Sequence, residues 1–177
     1  TDVTGVGTAR SVLKACSYGF DKGIFAYGND GSMSSLSNLV SSAGVVATDV
    51  TGVGTARKEM AACEYDGDKG IFAYGNDGSR VSMSNLVSNS GVVASDVTGV
   101  GSARYGPAAC EYGTGLGIFG FGTTGSATAI TNKINTSGVI ATDVSGVGTA
   151  RNDLAACNYG GDKGIFGYGQ GSVSMTN

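Results

Sequence analysis

The chain has no histidine and no tryptophan, one proline (Pro107), and 11 Lys plus Arg against 14 Asp plus Glu over 177 residues, a formal net charge of -3. Without histidine the commonest general base and transition-metal ligand is missing, so any catalysis would have to rest on carboxylates or thiols. The shortage of basic residues leaves no electrostatic footprint for nucleic acid or for an anionic membrane. No apolar run approaches the roughly 20 residues that a spanning helix needs, and no basic-then-apolar leader opens the chain. Opening on Thr1 instead of Met is what a processed, excised or partial segment would show. Charged residues are only 14% and hydrophobic ones 41%, a balance that fills a core and excludes a disordered tail. The length suits a single domain.

What is abundant is glycine, 32 residues, and it recurs in register. Offsetting the chain by 47 aligns TDVTGVGTAR at residue 1 with its copies at 48, 95 and 142, which divides it into units 1–47, 48–94, 95–141 and 142–177. Cys16, Cys63, Cys110 and Cys157 fall at the same step. The fourth unit carries a two-residue deletion after Tyr168-Gly169 and stops at Asn177. A fixed period of about 40 to 50 residues is the range of propeller blades.

Within unit two, the runs 61–65 (AACEY), 70–74 (GIFAY), 81–87 (VSMSNLV) and 91–97 (GVVASDV) are short, β-branched or aromatic, and bounded by Gly, Asn, Asp and Ser. None carries a helical apolar stripe, and glycine at this density penalises helices by about 1 kcal/mol per site. Four strands per unit are therefore predicted. YDGDKG, YGFDKG and YGGDKG place Asp and Gly where a tight hairpin demands positive φ, and NDGS at 29–32 and 76–79 reads as the next turn. In GIFAY, Ile71 and Ala73 point to one face and Phe72 and Tyr74 to the other; both faces are apolar, so this strand is expected between two layers.

The run from Arg57 through AAC-x-Y, KGIFAYG, SNLVS and GVVA-x-DV resembles a kelch-type β-propeller blade, and FAYGNDG is similar to the regulator-of-chromosome-condensation type of blade. Comparable GIFGYG and TGVGTAR repeats are familiar from environmental phage or bacterial repeat proteins. The resemblance implies an all-β propeller of four 47-residue, four-stranded antiparallel blades, the last truncated, and an extracellular or virion-surface setting. It carries over no catalytic residue. Two closures stay open: Thr1, Asp2 and Val3 match the end of a last strand and would complete blade four, or two chains would form a homodimer sharing one larger ring. A solenoid stacking is the minority alternative.

Four candidate sites follow. Arg10, Arg57, Arg104 and Arg151 recur with Asp2, Asp49, Asp96 and Asp143, eight residues before each. They read either as guanidiniums gripping an anion or acidic glycan at one mouth, or as Asp capping the TGVG turn and Arg pairing to a neighbouring blade. Asn29, Asp30, Asn76 and Asp77 sit in turns that become TTGS and QGS in the later units, and the segments after each Arg also differ: SVLK, KEMA, YGPA and NDLA. Variation inside a held frame marks ligand contact or surface drift. One carboxylate per turn is too few for calcium, and the cysteines lack zinc spacing and read as buried small hydrophobes, so no metal or cofactor is expected. Tyr18, Tyr65, Tyr112 and Tyr159 read as packing anchors ahead of sugar-stacking platforms, and Lys22, Lys69 and Lys163 as solvated hairpin tips. The expectation is a non-enzymatic binding or structural module for a glycan or protein; the alternative is a propeller glycosidase drawing on Glu59, Glu64, Glu111 and Asp153.

Overall fold

A computed structural model describes residues 4–170 and 174–177. Among them all regular structure is β, and no helix is long and apolar enough to cross a membrane. Unit 1 supplies β1 (Lys14–Tyr18), β2 (Lys22–Ala26) and β3 (Ser37–Val40), and unit 2 supplies β4 (Ala61–Tyr65), β5 (Lys69–Ala73) and β6 (Ser84–Val87). Unit 3 supplies β7 (Ala108–Tyr112), β8 (Leu116–Gly120) and β9 (Thr131–Ile134), and unit 4 supplies β10 (Ala155–Tyr159) and β11 (Lys163–Gly167). Each unit is one antiparallel meander with its second strand in the middle. In unit 4, residues 175–177 take the place of the third strand: Asn177 and Phe166 exchange backbone hydrogen bonds at 2.8 and 2.9 Å. The expected closure by Thr1 to Val3 lies outside the described residues.

The hairpin between the first two strands turns as expected, with Asp66 and Gly67 at φ 55° and 75°. The central strand is sandwiched: Ile71, Phe72, Ala73 and Tyr74 are fully buried. Two elements differ from the sequence reading. The third strand starts at Ser84, three residues late, because Val81 N donates to Gly75 O at 3.0 Å and Arg80 bridges Asn76. The fourth strand is reduced to two bridges on the third, Val40↔Val46 and Ser37↔Val50 in unit 1. Between them the register slips by one residue, which is a β-bulge. The Asn38 side chain fills it, donating to Ala47 O at 3.1 Å in place of a backbone amide, and Asn85 and Asn132 do the same in units 2 and 3.

The sheets pack face to face in chain order through one interface used three times. The aromatic ring after the central strand of one unit meets the phenylalanine within the next: Tyr27–Phe72, Tyr74–Phe119 and Phe121–Phe166 have centroids 5.4 to 5.5 Å apart. Such tilted and edge-on pairs add about 0.5–1.5 kcal/mol each beyond area burial. The arginine of the next unit stacks on the same ring, with Arg57 over Tyr27 at 4.3 Å, Arg104 over Tyr74 at 3.8 Å and Arg151 over Phe121 at 4.3 Å. Backbone bonds finish the seam, Gly28 N donating to Arg57 O at 3.0 Å and Gly75 N to Arg104 O at 2.9 Å. On the inner side the thiols of Cys16, Cys63 and Cys110 nest on the glycine of the next unit's central strand: a Cβ on Gly70 would lie 2.6 Å from Cys16 Sγ, and one on Gly164 as close to Cys110 Sγ. Cys16, Cys63 and Cys110 are thus packing groups. Burial pushes the thiol of Cys16 up to about 12 and that of Cys110 to about 11, leaving almost no thiolate at neutral pH.

The four first strands converge, lining one cavity of about 320 Å³ with Cys16, Cys63, Cys110 and Cys157 and, one residue on, Ser17, Glu64, Glu111 and Asn158.

Candidate functional site

The recurring arginines and aspartates are placed inside the frame. Arg57 and Arg104 are fully buried and Arg151 nearly so. Besides the stacking just described, Arg104 donates to Ser102 O at 3.3 Å and Asn132 Oδ1 at 2.7 Å, and Arg151 donates to Thr149 O at 3.1 Å and Asn177 Oδ1 at 2.7 Å. Arg57 turns instead to the carbonyls of Tyr74 and Thr55, at 3.0 and 3.2 Å. Arg10 donates to Asn38 Oδ1 and lies 3.6 Å from Asp49. None of the four lines the cavity between the first strands or the pocket formed by the segments that follow the arginines. For Arg57, Arg104 and Arg151 the partner in the neighbouring unit is an aromatic ring, Arg10 is held by Asn38 and Asp49, and the ring of guanidiniums open to an anion is not where these side chains lie.

The aspartates do cap the TGVG turn, but 41 residues away. Asp49 accepts from Thr8 N and Oγ1 at 2.9 and 2.7 Å, Asp96 from Thr55 N and Oγ1 at 3.0 and 2.7 Å, and Asp143 likewise from Ser102. Asn38, Asn85 and Asn132 donate to the same carboxylates at 2.8 to 2.9 Å. This clamp ties the first turn of a unit to the opening residues of the next. Asp2 lies outside the described residues. The hydroxyl of Thr8 and the Asn38 amide hold the Asp49 carboxyl below the usual aspartate range. For Asp96 and Asp143 partial burial pulls upward, but the hydroxyl, amide and backbone donors overcome it and the net direction is again down. A depressed carboxylate lends stability that is complete above the ordinary value of 3.8 and is lost as pH falls through and below it. The thermal midpoint should therefore drop on acidification below about pH 4, and Asp96→Asn should shrink the drop while costing about 1–2 kcal/mol at neutral pH. A pH profile unchanged by the substitution would rule out the clamp. Glu64 works in the opposite direction: burial, then the Glu111 charge, pushes its carboxyl up.

The segments that differ between units are brought together. Val12 and Lys14 of unit 1, Glu59 of unit 2, Gly106 and Pro107 of unit 3, and Asp153 and Leu154 of unit 4 line one pocket of about 160 Å³. Backbone bonds run through it from unit to unit: Glu59 N to Val12 O at 3.4 Å, Gly106 N to Glu59 O at 2.8 Å and Asp153 N to Gly106 O at 2.9 Å. Val12, Glu59, Gly106 and Asp153 all have φ between 46° and 66°, the same left-handed backbone at each step of the ladder. The result is a rigid floor carrying four different sets of side chains. Lys58 and Glu59 lie 3.7 Å apart, and Asp153 accepts from Asn152 at 2.7 Å.

The turns holding Asn29, Asp30, Asn76 and Asp77 lie beside this floor. Ser11 pairs with Asn29, Lys58 with Asn76 and Tyr105 with Thr123 through reciprocal backbone bonds. Asn29 and Asn76 spend their side-chain oxygens on Gly31 N and Gly78 N, and Asp30 and Asp77 spend one oxygen each on Ser32 N and Ser79 N. These Asx turns fix the tips and leave the amide nitrogens and the second carboxylate oxygens for a ligand. Among the described residues no group of three or more Cys, Asp or Glu is placed to hold a metal ion. Of the tyrosines, Tyr18 and Tyr65 are buried, with Gly91 and Gly138 of the following units against their rings, whereas Tyr159 is half exposed. Lys22, Lys69 and Lys163 pair with aspartates of their own hairpins.

Sequence reasoning passed over two kinds of residue. Asn38, Asn85, Asn132 and Asn177 looked like ordinary strand positions; a polar side chain repeated in an otherwise apolar strand was the available signal. Arg80, where the other units carry Met33 and Ala127, extends over Gly125 of the next tip and adds a cation to the variable surface. No protein-family model and no curated protein matches the chain.

Proposed function

We propose that the chain is a non-enzymatic binding module, a β-propeller of four blades, that recognises a glycan or protein through the face on which its variable segments meet. The observation that carries this reading is the pocket formed by Val12, Lys14, Glu59, Gly106, Pro107, Asp153 and Leu154, to which every unit contributes from the segment that differs most. Convergence of the variable parts on one spot suits recognition better than surface drift, which would scatter them. Chemically the pocket offers two carboxylates and an ammonium beside the apolar walls of Pro107, Leu154 and Val12. That is the mixture a pyranose needs, with hydroxyls bonded by charged groups and a C–H face packed on aliphatic surface. Asn29, Asp30, Asn76 and Asp77 would make the outer contacts. An extracellular or virion-surface setting fits such a polar, loop-borne site.

A glycan array followed by calorimetry tests the reading. Glu59→Gln combined with Asp153→Asn should weaken the best glycan by about tenfold or more, about 1.4 kcal/mol, with an unchanged unfolding midpoint. Equal binding by the double variant would defeat it. The alternative, a carboxylate-dependent glycosidase, draws on Glu64 and Glu111, which share the cavity between the first strands. Release of product from a bound oligosaccharide would decide for that alternative.

A further inference from the structure

Units 1 and 4 each present one half of the interface that is complete between units 1 and 2, 2 and 3, and 3 and 4. Tyr168 is the counterpart of Tyr27, Tyr74 and Phe121; those three rings are at most 2% exposed, while Tyr168 is 63% exposed. Phe25 is the counterpart of Phe72, Phe119 and Phe166; those are at most 6% exposed, while Phe25 is 38% exposed. Cys157 is exposed where Cys63 and Cys110 are buried, and Gly23, the counterpart of the glycines that receive a thiol, meets none. On unit 4 these groups form an almost wholly apolar groove of about 200 Å³ lined by Ala155, Ala156, Cys157, Ile165, Gly167, Tyr168 and Thr176.

We infer that the Tyr168–Cys157 face of unit 4 receives the Phe25–Gly23 face of unit 1 from a second copy of this chain. Such a contact would repeat once more, between copies, the interface this fold already makes three times within one. An aromatic ring, a thiol and an apolar groove on one side find a half-exposed phenylalanine and a bare glycine on the other, with Arg10 the counterpart in sequence of the three arginines that stack at the completed seams. The faces are different surfaces, so the contact is heterologous, and one copy follows another head to tail, closing or running on as the rotation dictates. Within one copy the two faces stay exposed, which is why the occupant is a second copy.

Sedimentation velocity over a wide concentration range tests this with three proteins. The unaltered chain should rise from a 17.5 kDa monomer to at least twice that mass. Phe25→Asp and Tyr168→Asp each replace a ring that makes no interior contact of this type, so both should keep their β circular dichroism and unfolding midpoint and run as monomers. Mixing the two variants should restore a dimer, because each supplies the face that the other has lost. A wild-type chain that stays monomeric, a single variant that still associates, or a mixture that stays monomeric would each overturn the inference. None of these outcomes depends on glycan binding.

Discussion

Replacing Arg104 by alanine should destabilise the array by about 3–5 kcal/mol, a change large for one side chain outside any reactive centre. The guanidinium is fully buried, lies 3.8 Å above the Tyr74 ring and satisfies Asn132 Oδ1 and Ser102 O. Its loss opens a cavity, strips two buried acceptors of their donor and removes the cover from a tyrosine held at φ 64°. Left-handed backbone is costly for a bulky residue and persists only where packing enforces it. Arg104→Lys should recover only part of the loss, since an ammonium neither stacks as a plane nor donates as a fork. Denaturant unfolding followed by circular dichroism measures both variants. A cost below about 1 kcal/mol would mean that the stacking is incidental.

Gly75→Ala should be nearly as damaging, about 2–4 kcal/mol, for a reason in the backbone alone. Gly75 has φ 112°, a conformation L-residues avoid, and a Cβ there would come within 2.7 Å of Lys58 O and 3.1 Å of Met60 Cβ. Neither neighbour can swing away: the carbonyl belongs to the pair joining Lys58 to Asn76, and Met60 is fully buried. Because stability in such arrays is a sum of unit and interface contributions, damage at the seam between units 2 and 3 should split a single unfolding transition into two. Gly78→Ala, with φ 113° but open space around it, separates the terms: it keeps the conformational strain and loses the clash, so it should cost distinctly less. Equal costs would show that the clash contributes nothing.

Much of this architecture was legible because the period imposes it. The 47-residue step, the AACEY and GIFAY strands and the Asp-Gly hairpin depend on local pattern and turn chemistry, and they appear within a residue or so of their expected places. The fourth strand is shorter than its pattern suggests because the Asn38 side chain, donating to Ala47 O, takes over a bond that a ladder amide would make. The partner of each aspartate was misjudged for a related reason. A clamp spanning 41 residues has no local signature, and proximity in sequence favoured the turn in the same repeat. Arg104 illustrates a third limit: a charged residue in every unit looks like surface until the ring beneath it, carried by the preceding unit, is known. At the candidate site the sequence could mark which segments differ, but only the φ > 0 ladder through Val12, Glu59, Gly106 and Asp153 brings them to one pocket.

The seam between repeats has a genetic consequence. Tyr27, Gly28 and Cys16 form the donor half of a joint, and Arg57, Phe72 and Gly70 the acceptor half; each later repeat carries both halves with little change. Excising 47 codons anywhere in the middle would bring matching halves together again, as would inserting another copy. Copy number can therefore drift by unequal recombination without inventing a new contact, while the short stretch after each arginine is free to be rewritten.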